Sequence, residues 1–295
     1  MTYHIRVPAT TANLGPGFDA LGLALKLYNE FRIETIESGI EMLGCDDIPL
    51  GENLIYTTIQ RLFHEYHHEK YGVRVISHKI DIPLSRGLGS SAACIAAGIV
   101  IANRAMGERL GLEDMIRIGT ELEGHPDNIV PALVGGMVAS IHEGDQVIYT
   151  RISIPQSLCF ALMIPEFTVS TGEARKVLPD HYSKKDCIFN ISRTALLVAA
   201  MQNGELEKLR VATGDRIHQP YRMGLIPGLE AIFQKAQALG SKTEVISGSG
   251  STLMAMIERN NIRFEDEMND FLSAMEGGWY VKILEHDQEG IQIYE

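Results

Sequence analysis

The sequence is short of positive charge, of cysteine and of long apolar runs, and each shortage excludes a class of protein. Its 26 lysines and arginines stand against 38 aspartates and glutamates, a formal net charge of −12. That balance excludes a nonspecific grip on nucleic acid or on an anionic membrane surface. Anions can still be bound, but only by a local site. The four cysteines, Cys45, Cys94, Cys159 and Cys187, are scattered and form no C-x-x-C pair. They read as reduced thiols rather than as a disulfide framework or a zinc site. The longest apolar run, AACIAAGIVIA, falls far short of the roughly 20 residues of a membrane span. The opening MTYHIRVPATTANLG lacks the apolar core and cleavage pattern of a secretory signal. A cytoplasmic protein without nucleic-acid or membrane partners is the expectation.

Internal repeats and low-complexity tracts are also missing, and 295 residues suit two domains. HIRVPAT, ALGLALKLYNEFRIETI and VRVISHKI read as strands, and Ile55, Ile59, Leu62, Phe63 and Tyr66 predict a helix within 52–71. SSAACIAAGIVIANRAMG is apolar all round, which predicts a buried helix. Another helix is expected over 112–123, a hairpin over 134–148, and further helices around 190–202 and 229–239. VISGSGSTLMAMI reads as strand, glycine turn, strand, and WYVKILE and GIQIYE as closing strands. Strands and helices mix without regular βαβ repetition, so the expected fold class is α+β, with domains at 1–154 and 155–295 and Pro155 at the boundary.

Three glycine loops carry the candidate chemistry. In PLSRGLGSSAA, residues 83–93, Gly87 and Gly89 precede a predicted helix that Ser90 and Ser91 open. A helix N-terminus presents unpaired N–H groups and partial positive charge, so it suits phosphate. A serine-capped core helix explains the same residues. The loop is no Walker A, because the required lysine is absent. In PATTANLGPGFDALGLAL, residues 8–25, Asn13 and Asp19 flank a glycine–proline turn; they can face one pocket or simply stabilise the turn. In VISGSGSTLMAM, Gly248 and Gly250 permit a close backbone approach or a plain hairpin. A fourth pattern, HEYHH, matches the zinc signature H-E-x-x-H at His64, Glu65 and His68. The apolar stripe puts both histidines on the polar side near a helix end, where a solvated role suffices.

Taken together and in order, the three loops with EGHPDN at 123–128 resemble the GHMP small-molecule kinases over the whole chain. PLSRGLGSSAA is similar to the family's phosphate loop, PATTANLGPGFD to its first motif and SGSGSTLMA to its third, where Ser251 stands in place of the usual proline. PATTANLGPGFDALGLAL with EGHPDNIVPALVGG is most similar to members that phosphorylate L-homoserine. The resemblance implies a two-domain fold with the site in the cleft between domains, ATP and Mg2+ as cofactors, and a homodimer. It implies nucleotide contacts by Asn53, Leu54, Pro83, Arg86, Gly87, Leu88, Gly89, Ser90, Ser91 and Ala92, although Asn53 is also a good helix cap. Magnesium is expected at Ser91 and Glu123, with Glu121 as the substitute if the helix end shifts.

A zwitterionic acceptor needs both signs of charge. The resemblance gives Asp19, helped by Asn13, to the ammonium and Arg175 and Arg222 to the carboxylate, which a guanidinium binds through two parallel bonds. His125, Asn128 and His218 fall in the same matched segments and are expected to touch the substrate, orienting its side-chain hydroxyl. Asn128 is expected to position the hydroxyl, and Asp127 is the candidate base, although a loose transition state makes early deprotonation dispensable. A mevalonate-like or sugar acceptor, and a non-catalytic ligand sensor, are the alternatives.

Overall fold

The computed structural model describes residues 2–45, 47–66 and 72–295. Strand β1 (Thr2–Asn13) runs antiparallel to the 20-residue β2 (Gly17–Ile36). Alternate residues of β1 are buried at first, but from Val7 to Asn13 every residue is buried. A strand covered on both faces has no polar side, so PATTAN could not alternate. β3 (Gly39–Leu43) lies parallel to β4 (Gly72–Ile80). β2 is long enough to serve two neighbours: its residues 29–36 pair with β4, and residues 21–23 with β5 (Met137–Glu143). β5 turns into β6 (Gln146–Ile152), the expected hairpin displaced by a few residues.

Four helices pack with this sheet: α1 (Leu54–Glu65), α2 (Ser90–Ala105), α3 (Leu112–Glu123) and α4 (Pro126–Val134). Twelve of the 16 residues of α2 are buried, as its all-round apolar sequence predicts. Helix α4 was not expected, because prolines open and interrupt it. Pro126 sits at the first turn, where no N–H is needed. Pro131 lacks the N–H that the Asp127 carbonyl would accept in a regular helix. β2 comes against that carbonyl instead: a Cβ on Gly22 would lie 1.7 Å from it. α4 and β2 are thereby locked together, with Asp127 and Asn128 at the helix start.

The second half contains β7 (Leu158–Ile164), α5 (Thr171–Lys176), α6 (Lys184–Asn203), α7 (Leu209–Ala212), α8 (Gln219–Arg222), α9 (Leu229–Ala238), β8 (Thr243–Ile246), β9 (Leu253–Glu258), α10 (Phe264–Ser273), β10 (Tyr280–Leu284) and β11 (Gln292–Tyr294). An antiparallel sheet in the order β10-β7-β9-β8 forms its centre. β7 is buried throughout: Leu158, Phe160, Leu162 and Ile164 face the core that holds Ile5 and Leu23, while Cys159, Ala161 and Met163 face a second core with Ile232 and Phe264. The larger core therefore spans both halves.

A single cut at 154 does not divide the two sheets. β11 returns to β1, with His4 opposite Tyr294 and Arg6 opposite Gln292, and Lys26 N–H donates to the Glu285 carbonyl. The physical reason is the outer edge of β1, whose N–H and C=O groups need partners. Among the described residues no helix is long and apolar enough to cross a membrane. Glu65 lies in the last turn of α1, 3.9 Å from Arg61, while His68 lies outside the described residues, as does the predicted extension of α1 over 67–71.

Candidate active site

One cleft of about 600 Å³ collects all three glycine loops, the start of α4 and residues 169–175. The phosphate-loop candidate is clamped between β1 and the third loop. The Leu88 carbonyl accepts from Thr10 N–H at 3.1 Å, the Arg86 carbonyl from Thr252 N–H at 3.2 Å, and the Gly87 carbonyl from Ser247 Oγ at 2.6 Å. Ser251 replaces the family's proline and anchors the third loop by donating to the Phe167 carbonyl at 2.8 Å. Gly89 has φ +66°, and a Cβ there would lie 1.9 Å from Thr10 Oγ1 and 3.1 Å from Asn128 Oδ1.

The N-terminus of α2 distinguishes the two readings of this loop. Gly89 occupies the cap position, and no side chain among the described residues caps the helix. Ser90 Oγ is buried without a partner among the described residues, and Ser91 Oγ donates to Glu123 Oε2 at 2.6 Å. The serines are not caps, so the first-turn N–H groups keep their capacity for an anion. Arg86 contributes main chain only, because its guanidinium donates to the carbonyls of Leu84, Pro165 and Glu166. Pro83 and Ala92 do not line the cleft, and Ala92 is fully buried in the core. Leu88 borders it but is itself buried.

Asn53 and Leu54 line the far end of the cleft with Phe31, Met42, Ile48 and Ile80. Asn53 also caps α1: its Oδ1 accepts from the N–H groups of Ile55 and Tyr56 at 3.1 and 3.2 Å. This end is apolar and suits a flat aromatic ring.

Glu123 ends α3 beside the loop. Burial pushes its carboxyl above the usual carboxylate range, opposed by the Ser91 hydrogen bond and His125. Glu121 faces elsewhere, 2.7 Å from Arg117 and 3.6 Å from Arg61, and does not line the cleft.

At the opposite end, Asp19 and Arg175 form a two-bond ion pair, at 2.8 and 3.1 Å. Asn13 Oδ1 accepts from Asp19 N–H at 3.0 Å, and Asn13 Nδ2 donates to the Gly248 carbonyl at 2.9 Å. Asn13 therefore shapes the turn that aims Asp19. Both residues have left-handed φ, +70° and +55°, which Asn and Asp tolerate better than other non-glycine residues. Arg222 is buried and donates to the carbonyls of Ala174 and Gly248. Burial lowers its pKa to about 10, so it is charged at neutral pH.

At this end of the cleft one expected residue lies elsewhere and one was missed. His218 does not line the cleft; it is fully buried behind Arg222, with Nδ1 3.2 Å from Arg222 Nη1. Phe18 was not singled out from the sequence, although it stands inside NLGPGFD. Its ring stacks on His218 at 5.4 Å and lies 5.5 and 5.3 Å from the guanidinium carbons of Arg175 and Arg222.

Between the two ends sit His125, Asp127 and Asn128. Asn128 is held from both sides: Oδ1 accepts from Thr10 Oγ1 at 2.9 Å, and Nδ2 donates to Asp127 Oδ1 at 3.2 Å. The same Asp127 oxygen bonds His125 Nδ1. Burial opposes a charge on His125, yet the hydrogen bond and charge of Asp127 outweigh it and raise its pKa. Asp19, His125 and Asp127 each bring a polar atom within 4.8 Å of the others.

Comparisons with known proteins bear on the family and the fold. Residues 53–136 match the GHMP kinases N terminal domain, and residues 197–274 the GHMP kinases C terminal domain. The homoserine kinase of Clostridium novyi is 49% identical over 98% of this chain and 98% of its own. That of Clostridium kluyveri is 50% identical over 98% and 97%. The crystal structure of homoserine kinase from Cytophaga hutchinsonii superposes with a TM-score of 0.88 at 26% identity, covering 99% of this chain and 97% of that one. Mevalonate kinase from L. major shares the fold at a TM-score of 0.75 and 16% identity, over 96% and 95% of the two chains. With both family domains matched and near-half identity to homoserine kinases along its whole length, the chain belongs to the GHMP kinase family, in the homoserine kinase branch.

Proposed function

We propose that the chain transfers the γ-phosphoryl group of ATP to the side-chain hydroxyl of L-homoserine, giving ADP and O-phospho-L-homoserine, a step toward threonine. The observation that carries this reading is the polarity of one cleft. An uncapped helix N-terminus beside a hydroxyl–carboxylate pair occupies one part of it, and a pocket with both signs of charge the other.

Phosphoryl transfer depends on positioning and charge stabilisation more than on covalent help. The N–H groups of the loop and of the first turn of α2 hold the phosphates. Arg222 and Arg175 take the substrate carboxylate and Asp19 its ammonium, so Asp19 and Arg175 exchange each other for the zwitterion. Asn128, fixed by Thr10 and Asp127, orients the hydroxyl, with His125 beside it. Asp127 acts here by orienting those two neighbours; an Asp127→Asn variant with normal turnover would exclude it as a base.

Ser91 Oγ and Glu123 Oε2 offer two hard oxygens side by side, and the buried carboxyl has a hydroxyl as its nearest hydrogen-bond partner. That donor set fits Mg2+. Magnesium, when bound, neutralises phosphate charge. The same reading makes the protein a cytoplasmic homodimer; light scattering at the mass of one chain would refute the dimer.

ADP release from MgATP with L-homoserine, mevalonate, galactose or no acceptor tests the whole reading. Turnover with L-homoserine alone is expected. Turnover with another acceptor overturns the substrate, and ATP binding without any turnover identifies a sensor.

A further inference from the structure

His218 is fully buried, yet it is a polar residue with both ring nitrogens engaged. Nε2–H donates to the Gly15 carbonyl at 2.8 Å, and Nδ1 accepts from Arg222 Nη1 at 3.2 Å. Only a neutral ring with its proton on Nε2 makes both bonds, because a protonated Nδ1 would meet the guanidinium donor head on. Burial is the main cause that lowers its pKa to about 4, which keeps it neutral under ordinary conditions. Asp215 comes within 3.5 Å of Nε2, but this is no ion pair. The Asp215 carboxylate is taken by the N–H groups of Ile217, His218 and Gln219 and by Asn190.

The two arginines of the pocket are held in different ways. Arg175 is half-exposed, and among the described residues its hydrogen bonds go to Asp19 alone. Arg222 is fixed by three separate parts of the chain: Ala174 in α5, Gly248 in the third glycine loop, and His218. Nη2 is the guanidinium nitrogen of Arg222 without a hydrogen bond among the described residues, and Arg222 lines the cleft. His218 is also the contact through which Arg222 is tied to the turn at 14–18, since Nε2 reaches Gly15 and the ring stacks on Phe18.

We propose that His218 is a positioning residue for the acceptor: through Nδ1 it fixes the Arg222 guanidinium so that Nη2 is offered to the carboxylate of an amino-acid substrate, and through Nε2 it couples that orientation to the turn bearing Phe18 and Asp19. It touches neither nucleotide nor acceptor. The proposal rests on the L-homoserine reading given above.

Three substitutions separate its two bonds. Asparagine places an acceptor near Nδ1, glutamine places a donor near Nε2, and phenylalanine keeps the stack on Phe18 but makes neither bond. At saturating MgATP, His218→Gln and His218→Phe are expected to raise KM for L-homoserine about tenfold, the scale of one hydrogen bond to a charged group. Their kcat and KM for ATP stay within about twofold by the same measure, and His218→Asn stays within about threefold of wild type for every constant. Equal KM values for the asparagine and glutamine variants would overturn the proposal. So would parallel rises in both KM values with a fall in kcat, the signature of a merely structural role. A wild-type protein inactive on L-homoserine would sink the substrate reading instead. Nitrogen-15 NMR of the wild-type protein then tests the relay by itself: an Nε2-protonated, non-titrating His218 between pH 5.5 and 8 supports it, and the Nδ1-protonated tautomer or titration in that range overturns it.

Discussion

Asparagine at position 19 is the most informative single change in the cleft. Asp19→Asn keeps the backbone N–H that Asn13 accepts, and asparagine tolerates the left-handed φ of +55° as well as aspartate does. Only the charge is removed. The Asp19 and Arg175 side chains are 35% and 39% exposed, so their ion pair contributes no more than about 1 kcal/mol to folding. Substrate binding loses far more. A bound ammonium loses a charge-assisted hydrogen bond of about 1.5–3 kcal/mol, which corresponds to roughly a 10- to 100-fold rise in KM for L-homoserine. The ATP end is built from separate residues, so KM for ATP stays put. Coupled-enzyme ADP release measures both constants, and urea unfolding measures stability. An unchanged KM for L-homoserine would refute the assignment of Asp19 to the ammonium. A stability loss of several kcal/mol, with both KM values rising together, would show that the pair is a structural clasp.

Gly89→Ala puts a methyl group against Thr10 and into a left-handed conformation that costs about 1–2 kcal/mol; urea unfolding should show at least that loss, and calorimetry a weakened ATP affinity. Glu123→Gln should lower kcat at least about 100-fold and raise the magnesium concentration for half-maximal rate, by the scale of a lost electrostatic contact in phosphoryl transfer. Glu121→Gln, on the Arg117 side of the same helix, should leave both near wild type, and a magnesium dependence that follows Glu121 would overturn the metal assignment. Glu285 is held at a pKa of about 2, chiefly by hydrogen bonds from Lys26 and Arg259. Its folded pKa lies below the unfolded one, so its stabilisation is present above about pH 4.5 and fades as pH falls toward 2. Acid titration of Glu285→Gln should accordingly show a shallower loss of stability in that window than wild type.

The fold was legible wherever one physical pattern ruled. The periodicity of α1 gave its described length, and the all-apolar α2 announced its burial. Helix α4 was hidden because its two prolines disguise a short helical segment whose place is set by close packing against β2. The return of β11 to β1 was hidden for a different reason: GIQIYE declares a strand, but nothing in six residues names a partner almost 290 positions earlier. The site divides in the same way. Ser91 with Glu123 and Asp19 with Arg175 follow from matched motifs plus the demands of charge, and the structure brings each pair within bonding distance. Pro83 and Ala92 came from adjacency to a motif, which says nothing about which way a side chain faces. His218 came from a matched segment too, but whether it touches substrate or holds an arginine depends on packing in three dimensions.

The pairing of β11 with β1 also has a consequence for how the protein is made. β1 leaves the ribosome almost 290 residues before the strand that pairs with its outer edge. At about 5–20 residues per second, that delay is on the order of tens of seconds. Throughout it the outer edge of β1 offers unpaired backbone groups to any neighbouring nascent chain. A polypeptide cut off just before β11 would carry every candidate site residue of the cleft and still present that open edge, so a truncation near position 290 would be felt first as aggregation rather than as lost chemistry.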